Sequence, residues 1–263
     1  MTSYARFYGP ALKSFVGIVL FLMLLPIVVI CVVAFTPTET LSFPPTGFSV
    51  RWFEAYLSSP DWINATKNSL FIAAGATVIS TAVGGIAATV IDRLDFRFSN
   101  LLGASYVVPI MLPPIVISVA FVSFFYTLNL TGSVWGVILA HSVFFVPFPF
   151  ILISQGLGEF DRSYEEASMI LGEGKLGTFR RVTFPIIKAN VLAGAIFVFI
   201  LSLNEYVIAW LLAGFSIKTV PIKVFAGLRY SYSPLVASAS VVIILITAVL
   251  ALAVDYATGG IWE

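Results

Sequence analysis

The sequence predicts an all-α polytopic membrane protein: six transmembrane helices, with a short cytoplasmic helix between the fourth and fifth. Three observations predict it. Apolar residues make up 59% of the 263 residues and charged residues only 10%, and a mean hydropathy of +1.02 leaves too little polar surface to face water. The apolar residues fall into six blocks, each meeting the requirement of about 20 residues for a helix that crosses a bilayer. One charged, glycine-punctuated island, YEEASMILGEGKLGTFRRVTFP at 164–185, interrupts them.

The six blocks cover roughly 15–35, 69–91, 101–126, 134–154, 189–213 and 236–255. The first follows Arg6 and Lys13 in the manner of a signal peptide. It is longer than an h-region and lacks a small-residue cleavage site, so an uncleaved anchor is expected. With both termini cytoplasmic, the inner segments hold Arg6, Lys13, Arg93, Arg97, Arg162, Lys175, Arg180, Arg181 and Lys188, and the outer ones Arg51, Lys67, Lys218, Lys223 and Arg229. This excess favours the N-in, C-in arrangement. The chain is expected to form a single transmembrane domain over 1–263.

Within the second block, Ala76, Ser80, Gly84 and Ala88 recur every fourth residue, a stripe of small side chains against which another helix can pack closely. The third block holds Pro109, Pro113 and Pro114. Each lacks an amide donor, so a kink or break is expected there. Between the first two blocks, Pro44, Pro45 and Gly47 mark turns, and SVRWFEAYL has the spacing of a short amphipathic helix. Trp52, Phe53, Tyr56 and Trp62 fit an interfacial aromatic belt; a docking surface for an external partner is the alternative.

In the island, Ser163 and Glu166 have capping-box spacing, which predicts a helix with Ser163 as its N-cap. Glu165 and Glu166 lie in the first turn, where acidic groups suit the helix dipole, and Gly172 is placed to end the helix in a left-handed conformation. Gly174 and Gly177 permit a reversal, after which TFRRVTFP leads to the fifth block with Pro185 near its start. A helix of about two turns is marginal alone in water and needs something to pack against.

The island resembles the EAA loop, taken as 155–188, of permease subunits in binding-protein-dependent ABC importers. The family pattern, Glu-Ala-Ala, three residues, Gly, then nine before Ile-x-Leu-Pro, is met by Glu166, Ala167, Ser168, Gly172, Val182, Phe184 and Pro185. Ser168, Val182 and Phe184 depart from it while keeping small or apolar character. The PPTGFSVRW loop, the proline-rich third block and LSLNEYVIAW are similar to the spermidine/putrescine-type branch of type I importers. The resemblance implies that the island forms a coupling helix seated on an ATPase subunit, with Glu165, Glu166, Ala167, Ser168 and Gly172 at the contact. It further implies a bacterial inner-membrane location, a second and different permease chain, two ATPase subunits carrying ATP and Mg, and a periplasmic substrate-binding protein. Membrane lipid is the remaining partner, and a net charge of +1 gives no sign of nucleic acid. Polyamines, opine-like compounds and other small solutes are all open as substrates.

No chemistry of its own is expected of the chain. GEGKLG lacks the Walker spacing, because Met169 stands at the first glycine and Leu176 follows the lysine. Cys31 is the only cysteine and His141 the only histidine, which leaves no metal or catalytic set. Asn204 and Glu205 interrupt the fifth apolar block, where an ionisable group costs at least about 2.5 kcal/mol and must face protein or water. Two readings follow: Asn204, Glu205, Tyr206 and Trp210 line a translocation pathway, or Glu205 hydrogen-bonds helices together. An amine would suit the carboxylate and the two rings. His141 reads as a packed, hydrogen-bonded residue, and Asp255 as reaching interfacial water. The rival function is a self-sufficient ion-coupled secondary transporter using Glu205 and His141.

Overall fold

The computed structural model describes residues 4–93, 98–159 and 161–258, and among them there are helices and connections but no strand. In order these are α1 (Tyr4–Val33), α2 (Arg51–Ser58), α3 (Pro60–Arg93), α4 (Ser99–Met111), α5 (Pro114–Thr127), α6 (Val134–Phe145) and α7 (Pro147–Gly158). There follow α8 (Ser163–Ile170), α9 (Lys175–Thr178), a π-helical turn (Phe179–Thr183), α10 (Phe184–Asn204), α11 (Val207–Ala213), α12 (Val220–Tyr230) and α13 (Pro234–Thr258). Arg97 lies outside the described residues, as does the side chain of Asp255.

Among the described residues, four helical stretches are long and apolar enough to cross a bilayer: Leu12–Val33, Pro60–Arg93, Lys175–Asn204 and Pro234–Leu252. The other two blocks are broken. α4 and α5 meet at 104° around Leu112 and Pro113. At 1.5 Å per residue each is about 20 Å long, too short to cross the hydrocarbon alone. The prolines of the third block thus produce a sharp turn, as their missing donors require. α6 and α7 bend by 41° at Val146 and Pro147, a second proline break, inside the block expected over 134–154.

The fifth block differs most from expectation. Its helix ends at Asn204, and Glu205 is extended at ψ 128°, so the run expected over 189–213 is split into α10 and α11. On the other side the helix continues back past Pro185 to Lys175. Proline cannot donate and crowds the carbonyl four residues earlier. The π turn absorbs this conflict, with the Phe184 amide donating to the Phe179 carbonyl five residues back.

The residues form two compact units, Met1–Ile63 with Val224–Leu245 and Asn64–Lys223 with Ile246–Glu263. In the larger, the small-residue stripe of α3 does what its spacing predicts. Ala76, Ser80 and Ala88 are buried, the Ser80 hydroxyl donates to the Ser142 carbonyl at 2.9 Å, and a Cβ on Gly84 would lie 3.0 Å from the Phe150 nitrogen. α10 approaches α7 as closely, since a Cβ on Gly194 would stand 2.7 Å from the Pro149 Cα. Ile72, Ile117, Val137, Ile138, Val198 and Ile208 belong to one buried cluster shared by α3, α5, α6, α10 and α11.

In the smaller unit α2 forms where SVRWFEAYL predicts it, but two of its expected belt residues are core. Tyr56 and Trp62 are buried with ring centroids 5.7 Å apart. Phe53 packs on Phe35, and the Trp52 indole donates to the Thr38 carbonyl at 3.2 Å. The loop folds back on α2 and α13, so these rings find protein to cover them.

Gly194→Val should lower the thermal stability of the detergent-solubilised protein by an amount on the order of 1–3 kcal/mol, since Pro149 backbone cannot yield as a flexible side chain would. Gly158→Ala, which would meet nothing within 4 Å, should leave the melting temperature in place. Size-exclusion recovery after heating measures both.

Candidate functional site

The island opens with an eight-residue helix, α8, held at both ends. Its N-terminus departs from the expected capping box. Ser163 is the first helical residue, Arg162 precedes it without a side-chain cap, and the Asp161 carboxylate accepts from the Ser163 amide at 2.9 Å. That backbone hydrogen bond holds the Asp161 carboxyl below its ordinary range. The C-terminus is as predicted: Gly172 has φ +94°. The Glu173 amide donates to the Ser168 carbonyl and the Gly172 amide to Met169, the paired bonds of a Schellman motif.

Glu165 turns inward and accepts from both Arg93, at the end of α3, and Thr183, in the π turn. Arg162 adds a second tie, donating to the Asp92 carbonyl at 2.7 Å, while Ser168 and Thr178 exchange a hydroxyl contact at 3.2 Å. Arg181 pairs with Glu173 across the turn. Glu166 and Ala167 remain exposed. Three apolar side chains of the island stand largely in the open: Ile170 is 85% exposed, Leu171 86% and Leu176 72%. A cleft of about 570 Å³ lined by Arg93, Glu165, Met169, Lys175 and Phe179 lies under α8. The sequence reading missed the anchoring partners Asp92, Arg93, Asp161 and Thr183. The one available signal was Asp161, an Asx-type side chain two residues before an acidic first turn.

The second cluster surrounds the break between α10 and α11. The Glu205 carboxylate folds over the start of α11 and accepts from the Ile208 amide at 2.9 and 3.0 Å and from the Ala209 amide at 3.1 Å. These are orphan donors of a helix N-terminus, a favourable place for a carboxylate. His141 Nε2 of α6 lies 3.2 Å from Glu205 Oε2, and the two side chains are 1% and 8% exposed. Asn204 and Trp210 are exposed beside the break, and the Tyr206 and Trp210 rings stack with centroids 6.1 Å apart. Of the four residues expected to line a pathway, Asn204 and Trp210 thus open outward, and Glu205 bonds within the protein. His141 is packed and hydrogen-bonded as expected, but its nearness to Glu205, 64 positions later, has no local signal in the sequence.

Residues 80–260 match the family described as binding-protein-dependent transport system inner membrane component. The spermidine/putrescine transport system permease protein PotC of Haemophilus influenzae is 27% identical over 241 residues, covering 91% of this chain and 93% of that protein. The putrescine transport system permease protein PotI of Escherichia coli is 33% identical over 198 residues, covering 72% and 69%. Among solved structures, a bacterial ABC transporter involved in the import of the acidic polysaccharide alginate covers 100% of this chain and 99% of its own, with a TM-score of 0.73 and 17% identity. That last likeness establishes shared fold.

Asp161→Ala should speed hydrogen exchange at the amides of the first turn of α8 at neutral pH. In the unaltered protein the same amides should lose protection as the pH falls through the Asp161 titration, because a carboxylate with a depressed pKa contributes above its unfolded pKa and ceases to when protonated. Exchange mass spectrometry over residues 161–172 measures both, and equal protection at pH 7 and pH 3 would contradict the assignment.

Proposed function

The chain belongs to the family of binding-protein-dependent transport system inner membrane components, and from that premise we propose that α8 is its coupling helix and a polyamine its cargo. It is a multi-pass permease subunit of an importer whose ATPase is a separate subunit. In our reading, ATP and Mg in two partner ATPases draw those subunits together, α8 moves with its seat, and the attached helices switch a pathway shared with a second, different permease chain. Substrate arrives from a periplasmic binding protein. Counting each bent pair as one span gives six crossings, with both termini and α8 cytoplasmic, the arrangement the basic residues favour. ATP-driven transport replaces the ion-coupled alternative based on Glu205 and His141.

The observation that carries the coupling assignment is the exposed apolar edge of α8 and α9, formed by Ile170, Leu171 and Leu176, on a helix too short to hold itself in water. Glu165, Arg93 and Thr183 join it to α3 and to the helix leading into α10, so displacement of α8 must strain both. Glu166, Ala167, Ser168 and Gly172 complete the proposed contact. For the cargo, the relatives PotC and PotI carry polyamine transport in their names, and the stacked Tyr206 and Trp210 offer ring faces to an alkylammonium group. Asn204 stands beside them as a polar wall residue.

The test is uptake of labelled spermidine and putrescine into proteoliposomes holding the chain with its second permease and ATPase, with the binding protein outside and ATP inside. ATP-dependent uptake of either amine supports the reading; transport by this chain alone on an ion gradient would overturn it. Gly172→Val should leave membrane insertion intact while weakening co-purification of the ATPase by about tenfold, because a β-branched residue cannot hold φ +94° without strain. Unchanged ATPase recovery would remove α8 from that interface.

A further inference from the structure

We infer that His141 is a positioning residue that fixes the joint between α10 and α11. The inference rests on the reading of that joint as part of the pathway wall. His141 occupies a place on α6 where Val137, Ile138, Ala140, Phe144 and Phe145 are all buried and apolar. An imidazole in such surroundings is costly unless both nitrogens find polar groups. Both do. Nδ1 lies 2.7 Å from the Ser202 hydroxyl, in the last turn of α10, and Nε2 lies 3.2 Å from Glu205 Oε2. The carboxylate in turn holds the Ile208 and Ala209 amides of α11. One ring therefore ties the end of one half-helix to the cap of the next, from a third helix.

Two other polar contacts at the joint stay within α10. The Asn204 side-chain amide donates back to Ile200 within α10, and the Glu205 amide reaches Ser202 at 3.4 Å, also within α10. Neither bridges the break. Without the imidazole the carboxylate keeps its two amides but is free to swing with α11, carrying Trp210 and Tyr206 with it. The ring thus sets where the exposed residues of the wall stand, without itself meeting the opening.

The sole cysteine allows a test in the assembled transporter, with Cys31→Ser as background and single reporter cysteines at buried sites. Ile208→Cys sits in the first turn of α11, and Ile153→Cys lies in a separate buried cluster on α7. His141→Leu should raise maleimide labelling at 208 by about tenfold, the scale of one lost close polar contact to a charged group, with no change at 153. His141→Gln, which can still reach the carboxylate, should restore most of the protection. Glu205→Gln should give a rise of similar size, and the double variant no more than the larger single effect. Ser202→Ala, a one-atom change, should give a smaller rise at 208 alone. Equal acceleration at both reporters, additive single effects, or no change at 208 would each overturn the inference. ATP-driven uptake by the unaltered complex is read separately, so failure of the permease reading is distinguishable from failure of this one.

Discussion

A backbone amide or carbonyl placed in hydrocarbon must be bonded within the protein, and this requirement governs each interruption of the helices. Where α4 gives way to α5, prolines remove the donors that would otherwise be stranded. At Pro185 the helix widens into a π turn and keeps its course. At Glu205 a carboxylate supplies the acceptor for the amides that begin α11. Each solution leaves the chain with a defined bend or join where an unsupported break would leave exposed polar groups.

The same accounting explains the pairing of several polar side chains within the apolar blocks. Ser80 bonds the Ser142 carbonyl across the contact between α3 and α6, and His141 faces both Ser202 and Glu205. Desolvation makes these groups costly alone and directional when paired. Small residues complete the arrangement: Gly84 and Gly194 let α3 and α10 approach the backbone near Pro149, so the turn between α6 and α7 is gripped from two sides.

Much of this was legible from the sequence. The apolar blocks, the α3 stripe, the proline break in the third block and the left-handed end at Gly172 follow from periodicity and residue chemistry. The breaks at Val146 and Glu205 did not show, because apolar residues on both sides give the same hydropathy whether the helix runs on or turns. Tyr56 and Trp62 fit an interfacial belt as well as a core, because amphipathic rings suit either a headgroup layer or buried packing, and only the fold of the preceding loop decides. The ties from Glu165 to Arg93 and Thr183 depend on helix ends distant in sequence meeting, which spacing along one segment does not reveal.

The π turn has a mechanical corollary. Because it carries the helix through Pro185, residues Lys175–Asn204 form one rod of about 45 Å, with the charged island at one end and the Glu205 joint at the other. Under the proposed coupling, a rod held where α7 packs against it near Gly194 would act as a lever with unequal arms, the longer one on the island side. Motion delivered at Lys175 would then be geared down in distance and up in force by the time it reached Asn204, which suits prising apart a bonded joint better than sweeping a wide gate.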